Sequence, residues 1–171
     1  VGVVKTIDGK SYLFNSDGEM VTGLRILTYD GSKITNISSE VDTADTVKNM
    51  NSDTMKLVYF ESNGAAKTGT TTITLDGTSY TFSFKSNGSP RGVGETGISD
   101  GYIYQNGLRL TADEDTKYGV VTYKKESYVV NEKGSIQKNK KNLKDADETY
   151  YCTNAKGILL HSSTEKCTTK H

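Results

Sequence analysis

The sequence predicts an all-β protein, a solenoid of stacked β-hairpin repeats with an irregular insertion near residues 32–54. Two observations lead to this fold class. A short phrase recurs along the chain: a turn, a few residues centred on Tyr or Phe, a turn ending in Gly, and a small apolar tail. Hydrophobic residues make up only 33% of the chain, which suits a thin core shared between neighbouring repeats better than a spherical one.

The first copy, from Asp8 to Met20, shows how one repeat is expected to fold. Tyr12 and Phe14 alternate with Ser11 and Leu13, which is the period of a strand that buries one face. The Asp-Gly or Asn-Gly pairs that follow the aromatic residues suit type I′ turns, whose two central residues need positive φ. These pairs are Asp17-Gly18, Asn63-Gly64, Asn87-Gly88 and Asn106-Gly107. Each repeat is therefore predicted to be a β-hairpin.

The number and spacing of the repeats can be estimated from the glycines at their turns. They are Gly18, Gly64, Gly88, Gly107, Gly134 and Gly157. The first interval is 46 residues and the others are 19 to 27, so a degenerate copy is expected around Tyr29-Asp30-Gly31. An isolated hairpin is marginally stable in water, so successive hairpins must bury their aromatic faces on one another. We expect residues 1–171 to form one array of about six to seven hairpin repeats.

Two polar stretches depart from the repeat. Residues 32–54 are rich in Ser, Thr, Asn and Asp without strand-like alternation, and predict a loop, with a short helix over about Glu40–Met50 as the alternative. Residues 117–144 carry eight lysines against two glutamates. This excess indicates either a solvated connector between repeats or a surface for an anionic polymer such as a wall teichoic acid.

The first repeat and its continuation Val21-Thr22-Gly23 resemble the cell-wall-binding repeats of Gram-positive surface proteins. That family includes choline-binding modules, glucan-binding repeats and the repetitive regions of clostridial toxins. Residues 8–23 match its pattern closely, residues 55–69 moderately, and the later copies only in outline. The resemblance implies a β-solenoid, an extracellular location at the cell surface or in the medium, and recognition of a wall polymer or glycan.

The chain lacks Trp entirely, and this departs from the family pattern. Leu24 follows Gly23 and Thr70 follows Gly69, where the resemblance places the Trp wall of a choline cage. Choline binding is therefore not expected, whereas tyrosine faces still suit a glycan. The aromatic candidates for ligand binding are Tyr12, Phe14, Tyr102, Tyr104, Tyr150 and Tyr151. Each of these rings could equally pack against the next hairpin and direct its polar end to solvent.

Neither catalysis nor a cofactor or metal is indicated by the sequence. Catalysis by a histidine would rest on His161, because the other histidine is the terminal His171. No His or Cys cluster has zinc spacing, and Asp113-Glu114-Asp115 lacks the remainder of a calcium loop. The formal net charge of zero does not favour nucleic acid, and no apolar run approaches the ~20 residues of a membrane-spanning helix.

Cys152 and Cys167 are the two cysteines of the chain, and an extracellular setting permits a disulfide between them. Such a bond would act as a clasp on the last hairpin and stabilise it by about 3 kcal/mol. The leading functional interpretation is a non-catalytic extracellular module that binds the cell wall or a carbohydrate. The alternatives are a structural stalk or spacer without a ligand of its own, and a protein-adhesion surface that uses the lysine-rich segment.

Overall fold

The computed structural model describes residues 2–87 and 91–167, and antiparallel strands dominate it. The prediction of an all-β protein is confirmed. The helix found in this part of the chain is α1 (Ala44–Lys48). The strands are β1 (Val3–Ile7), β2 (Lys10–Phe14), β3 (Gly23–Asp30), β4 (Lys33–Ile37), β5 (Met55–Phe60), β6 (Gly69–Leu75), β7 (Thr78–Phe84), β8 (Gly97–Ser99), β9 (Tyr102–Gln105), β10 (Leu108–Arg109), β11 (Tyr118–Tyr123), β12 (Glu126–Asn131), β13 (Leu143–Lys144), β14 (Tyr150–Thr153) and β15 (Leu159–Ser163).

The chain divides into two compact units. The first comprises Val1–Thr96 with Tyr104–Arg109, and the second comprises Gly97–Ile103 with Leu110–His171. The first unit contains the pair β1–β2 and the sheet β4-β3-β5, whereas the second contains the pair β11–β12 and the sheet β13-β14-β15. Each unit has its own apolar cluster, built around Leu27 and Val58 in the first and around Ile103 and Val130 in the second. A single array over residues 1–171 stays a prediction.

Most of the two-residue hairpin turns precede the aromatic strands instead of following them. Both central residues have positive φ at Asp8-Gly9, Asp76-Gly77, Asp100-Gly101, Asn106-Gly107 and Lys124-Lys125. The predicted type I′ turn at Asn106-Gly107 is confirmed. Those at Asp17-Gly18 and Asn63-Gly64 are wrong, because only the glycine has positive φ at each. Gly88 of the fourth predicted turn lies outside the described residues.

A different loop follows the aromatic strand in the first repeat. The N–H of Gly18 donates to the carbonyl oxygen of Asn15 at 3.0 Å, which closes a single turn before the left-handed glycine. The Asn15 Oδ1 atom accepts the backbone N–H groups of Asp17 and Glu19, both at 3.0 Å. Other side chains whose Oδ1 accepts two N–H groups in the same way are Asn131, Asp145 and Asn154. The asparagine before the turn, rather than the Asp-Gly pair, therefore defines this loop.

Turn glycines contact the repeat that precedes them within each unit. A Cβ atom on Gly64 or Gly157 would collide with the side chain two positions after the previous turn glycine. Gly92, a left-handed glycine outside the predicted set, repeats the offset, because a Cβ atom there would lie 2.8 Å from that of Ala66. The pairs are Gly64 with Met20, Gly92 with Ala66, and Gly157 with Ile136. Backbone bonds join the same repeats, as where the N–H of Ala66 donates to the oxygen of Ser11 at 2.8 Å. The fixed offset makes the close approach a repeated feature of the chain.

The segment 32–54 is more regular than the sequence indicated, and the interpretation of it as a loop is wrong. β4 pairs with β3 through a bulge at which Thr28 and Tyr29 face Asn36 and Ile34, so one extra residue enters β4. That extra residue lets Ile34 and Ile37 both approach the core although they are three positions apart. The odd spacing removed the period of two and hid the strand.

The helix in this segment is shorter than the Glu40–Met50 alternative. Thr43 caps α1 at its N-terminus, where its side chain accepts the N–H of Thr46 at 3.4 Å. Val47 is completely buried, which anchors the single turn and a half of helix to the first unit. A helix this short depends on that packing because its own propensity is weak.

Candidate functional site

A groove in the first unit is the strongest candidate site. Its volume is about 550 Å³, and it is lined by residues of β3, β5 and β6, by the connection before α1, and by the turn after β6. The lining includes Leu24, Tyr59, Glu40, Asp42, Thr74 and Asp76. We call it the acidic groove, because three carboxylates and no Lys or Arg are among its lining residues.

Leu24 and Tyr59 form the apolar side of the acidic groove. They are cross-strand partners on β3 and β5, so their side chains lie on the same face of the sheet. Leu24 is 1% exposed, whereas Tyr59 is half-buried and keeps part of its ring accessible. The residue that replaces the Trp of the family pattern is therefore buried, and the accessible aromatic surface belongs to its partner strand.

Two segments supply the polar side of the acidic groove: the connection that carries Glu40 and Asp42, and the strand β6 with the turn at Asp76. The N–H of Val41 donates to the oxygen of Leu24 at 2.8 Å, which holds the chain carrying Glu40 and Asp42 against β3. The side chain of Glu40 crosses the strand at Gly23, where a Cβ atom would lie 2.9 Å from its carboxyl carbon, and the φ of 88° at this position favours glycine.

The outer wall of the acidic groove is the strand β6. Thr72 and Thr74 are exposed and alternate with Ile73 and Leu75 of the same strand, which is the pattern of a strand with one solvated face. Asp76 follows them in a two-residue turn with φ of 49°. The carboxylates Glu40, Asp42 and Asp76 are all exposed. The groove therefore combines an aromatic face, hydroxyl groups and a negative potential.

A second groove of about 360 Å³ lies beside the first Asn loop of the same unit. The guanidinium group of Arg25 in this groove is engaged by the backbone. Its Nε donates to the carbonyl oxygen of Thr22 at 2.8 Å, and its Nη1 donates to that of Ser38 at 3.1 Å. Its lining includes Met20 and Val21 but no aromatic side chain. It offers a polar depression without a surface on which a ring could stack.

Two of the aromatic candidates are buried in the structure. Tyr104 is 4% exposed, and its hydroxyl accepts the Nη2 of Arg109 at 2.8 Å. Tyr151 is 7% exposed, and its hydroxyl donates to Oδ2 of Asp145 at 2.9 Å. Burial and the adjacent carboxylate raise the pKa of Tyr151 to about 12. These two rings have the packing role that the sequence left open.

The other four candidates are half-buried: Tyr12, Phe14, Tyr102 and Tyr150. Tyr12 pairs with Lys5 across the β1–β2 sheet, and Phe14 forms a bridge with Met20. Tyr150 has the ammonium groups of two lysines near its ring. Neither groove is lined by any of the six candidates, so ligand binding by these side chains stays a prediction.

Among the residues of the acidic groove, sequence reasoning singled out Leu24, and Tyr59 lies in the moderately matching stretch 55–69. Glu40 and Asp42 lie in the segment interpreted as an irregular insertion, and the threonines of β6 lie between two recognised repeats. The Thr-Ile-Thr-Leu alternation over residues 72–75 was the available signal for an exposed strand face. Its convergence with a distant acidic loop depends on tertiary packing.

The described residues show no metal-binding arrangement, and their histidine is engaged in a hydrogen bond. His161 uses Nε2 in a hydrogen bond with the oxygen of Glu165 at 2.8 Å, and His171 lies outside the described residues. Among residues 2–87 and 91–167, no three His, Cys, Asp or Glu side chains are grouped to hold a metal ion. In the same part of the chain, no helix has the length and hydropathy needed to cross a bilayer.

Cys152 and Cys167 are joined by a disulfide in the second unit. The bond closes a loop with a sequence separation of 15 residues and links β14 to the segment after β15. Asn142 supports both cysteines: its N–H donates to Sγ of Cys152 at 3.2 Å, and its Oδ1 accepts the N–H of Cys167 at 2.6 Å. The clasp considered from the sequence is thus present in this structure.

Comparison with solved structures identifies the fold that this chain shares with CbpJ, and two choline-binding proteins align with it less well. The structure of CbpJ from Streptococcus pneumoniae TIGR4 aligns with a TM-score of 0.55 at 17% identity, over 93% of this chain and 59% of CbpJ. Choline-binding protein F from the same species gives 0.39 at 17% identity, over 94% and 47%. The choline-binding domain of its CbpL gives 0.35 at 13% identity, over 94% and 98%.

No protein-family model and no curated protein sequence matches the chain. The likeness to CbpJ therefore establishes the fold, and it confirms at that level the resemblance carried by residues 8–23. The chain spans about three fifths of the length of CbpJ, at 59%.

Proposed function

We propose that this chain is a non-catalytic extracellular module that binds a cell-surface carbohydrate in the acidic groove. The fold shared with CbpJ supports a surface-binding role. The observation that carries the proposal is the partly accessible ring of Tyr59 beside exposed threonine hydroxyls and three carboxylates. A concave site with an aromatic face and a few convergent polar groups is the usual form of a small-ligand site.

The groove chemistry matches a neutral or amine-bearing sugar. Sugar hydroxyls are donors, and ionised carboxylates accept hydrogen bonds without donating any. The apolar face of a pyranose ring can lie on Tyr59, while Asp42 and Asp76 accept its hydroxyl protons. Three carboxylates without a basic residue repel phosphate or uronate groups. The groove is therefore expected to select against anionic glycans.

The repeated contact between turn glycines and the preceding repeat supports stacked hairpins as the scaffold. In the first unit the contact recurs from Met20 to Gly64 and from Ala66 to Gly92. Such an arrangement holds groove residues from separate hairpins at fixed spacing, as expected for a repeat array. We infer a solenoid-like stack inside each unit from these contacts.

A structural stalk or spacer is the second candidate function. The burial of Tyr104 and Tyr151 favours it, since both rings stabilise the interior instead of facing a ligand. A stalk predicts no saturable binding to peptidoglycan or to any isolated glycan. Binding measurements therefore separate the two functions directly.

The test is a glycan array and a peptidoglycan pull-down with groove variants. Tyr59→Leu keeps an apolar side chain on β5 but removes the ring, and Asp42→Asn removes one charged acceptor. A charge-assisted hydrogen bond contributes about 1.5–3 kcal/mol, so Asp42→Asn should weaken binding at least tenfold. Asp53→Asn is the matched control, because Asp53 is exposed and does not line the groove. Equal binding by all variants would refute the groove, and absence of binding by the wild type would favour the stalk.

A further inference from the structure

A row of side chains crosses the sheet β13-β14-β15 in the second unit. Tyr150 on β14 is the register partner of Lys144 on β13 and of Ser163 on β15. Register partners project from the same face of a sheet. Tyr150 is half-buried, so part of the residue is accessible to solvent.

The segment after β15 turns back over this face. The N–H of Glu165 donates to Oγ of Ser163 at 3.1 Å, and its oxygen bonds to His161 Nε2 at 2.8 Å. The disulfide from Cys167 to Cys152 then fixes the end of the segment to β14. As a result the ammonium group of Lys166 lies 5.9 Å from the centroid of the Tyr150 ring.

Two ammonium groups thus lie near one ring. Lys144 Nζ is also 5.9 Å from the Tyr150 centroid, and Lys166 is exposed. The carboxylate near Lys144 is that of Glu148, at 3.7 Å, and its side chain is 79% exposed. An exposed pair of this kind holds the ammonium only weakly. Both cations therefore remain accessible to an external anion.

We propose that Lys144, Lys166 and Tyr150 form a binding site for a phosphate-bearing polyol or glycan polymer. Lysine ammonium groups bind phosphate as point charges and tolerate variable geometry, which suits a flexible phosphodiester chain. The carbon backbone between two phosphates can lie on the Tyr150 face. This site is opposite in charge to the acidic groove and does not depend on the function proposed for that groove.

Binding is measured by calorimetric titration with an oligomer of glycerol phosphate at low and at high salt. Wild-type protein should bind, and its affinity should fall as salt rises because exposed charges are screened. Lys144→Gln and Lys166→Gln should each weaken binding up to about fivefold, and the double variant by about tenfold or more. Lys156→Gln is the matched control, an exposed lysine in the loop between β14 and β15.

The disulfide provides a second, independent readout. Reduction should release Lys166 from the Tyr150 face and lower the affinity of the wild type to that of Lys166→Gln. Reduction of Lys166→Gln itself should have no further effect, because the two changes remove the same interaction. Circular dichroism of every variant and of the reduced protein checks that the fold is retained.

The ligand class is tested with other probes. Inorganic phosphate and a neutral dextran should each bind more weakly than the glycerol phosphate oligomer. Equal affinity for either of these, tighter binding to phosphatidylglycerol vesicles, or identical affinities for Lys144→Gln, Lys166→Gln and Lys156→Gln would overturn the proposal.

Discussion

The contact between turn glycines and the preceding repeat can be tested by adding one methyl group at a time. Gly101 and Gly157 in the second unit have nearly the same backbone conformation, with φ of 83° and 87°. Their surroundings differ. A Cβ at Gly101 would have no atom within 4 Å, whereas one at Gly157 would collide with Cγ2 of Ile136. Gly101→Ala and Gly157→Ala therefore share the backbone strain and differ in the steric conflict.

The expected magnitudes follow from these two terms. A non-glycine residue in the left-handed region costs about 1–2 kcal/mol, which is the whole expected effect of Gly101→Ala. Gly157→Ala adds the overpacking cost of about 1–3 kcal/mol. Ile136 cannot easily relieve the conflict, because a β-branched side chain has few alternative χ1 rotamers. We expect Gly157→Ala to lower the free energy of unfolding by about 2–5 kcal/mol.

The assay is chemical denaturation followed by circular dichroism, with Ile136→Ala and the double variant completing a cycle. Ile136→Ala removes the atom with which the new Cβ would collide, so the double variant should be more stable than additive losses predict. Equal destabilisation by Gly101→Ala and Gly157→Ala would refute the close contact. So would additivity in the cycle. Either result would remove the main support for stacking inside the second unit.

Three further predictions concern other parts of the chain. Glu148→Gly should stabilise the protein by about 0.5–1 kcal/mol in thermal or chemical unfolding, because Glu148 has φ of 63° and only an exposed ion pair to lose. Tyr151 has a pKa raised to about 12, so its contribution to stability is complete below about pH 10 and is lost as pH rises through 12. Tyr151→Phe should flatten the fall in unfolding free energy over that range relative to wild type. Choline should give no saturable isotherm at millimolar concentration, since Tyr59 supplies one aromatic wall worth about 2 kcal/mol.

Each of these predictions has its own contrary outcome. A loss of stability in Glu148→Gly would show that the side chain contributes more than its exposed contact indicates. Equal alkaline slopes for wild type and Tyr151→Phe would show that the phenol does not titrate as its burial implies. A one-site choline isotherm, abolished by Tyr59→Leu, would show that carboxylates and one ring suffice for a quaternary ammonium.

Local patterns explain which predictions succeeded. The aromatic segments around Tyr12, Tyr102 and Tyr150 are strands, because alternation and β-propensity act over a few residues. The turn types were misplaced because two Asp-Gly pairs flank the first aromatic strand, at Asp8-Gly9 and Asp17-Gly18. Both pairs fit the same composition rule. The Asn15 side chain distinguishes them by holding the second loop in another conformation.

The candidate site was less accessible to sequence reasoning. Leu24 and Tyr59 both lie in recognised repeats, but their side-by-side placement depends on the pairing of β3 with β5. Glu40 and Asp42 carry no local motif and reach the groove because Val41 bonds to β3. Contacts between residues so far apart in sequence produce no periodic pattern of residue types that could be recognised in the sequence.

The amino-acid sequence alone determined the all-β class, the repeat and the resemblance to cell-wall-binding repeats, since each is written in short-range spacing of aromatic, turn and glycine residues. Tertiary structure alone decided the strand β4, the acidic groove and the position of Lys166 over Tyr150. A bulge accommodates the strand β4, a loop docked on β3 completes the acidic groove, and the disulfide fixes the segment that carries Lys166. Each of the three joins segments whose individual patterns are compatible with several arrangements, so only the packed chain selects one.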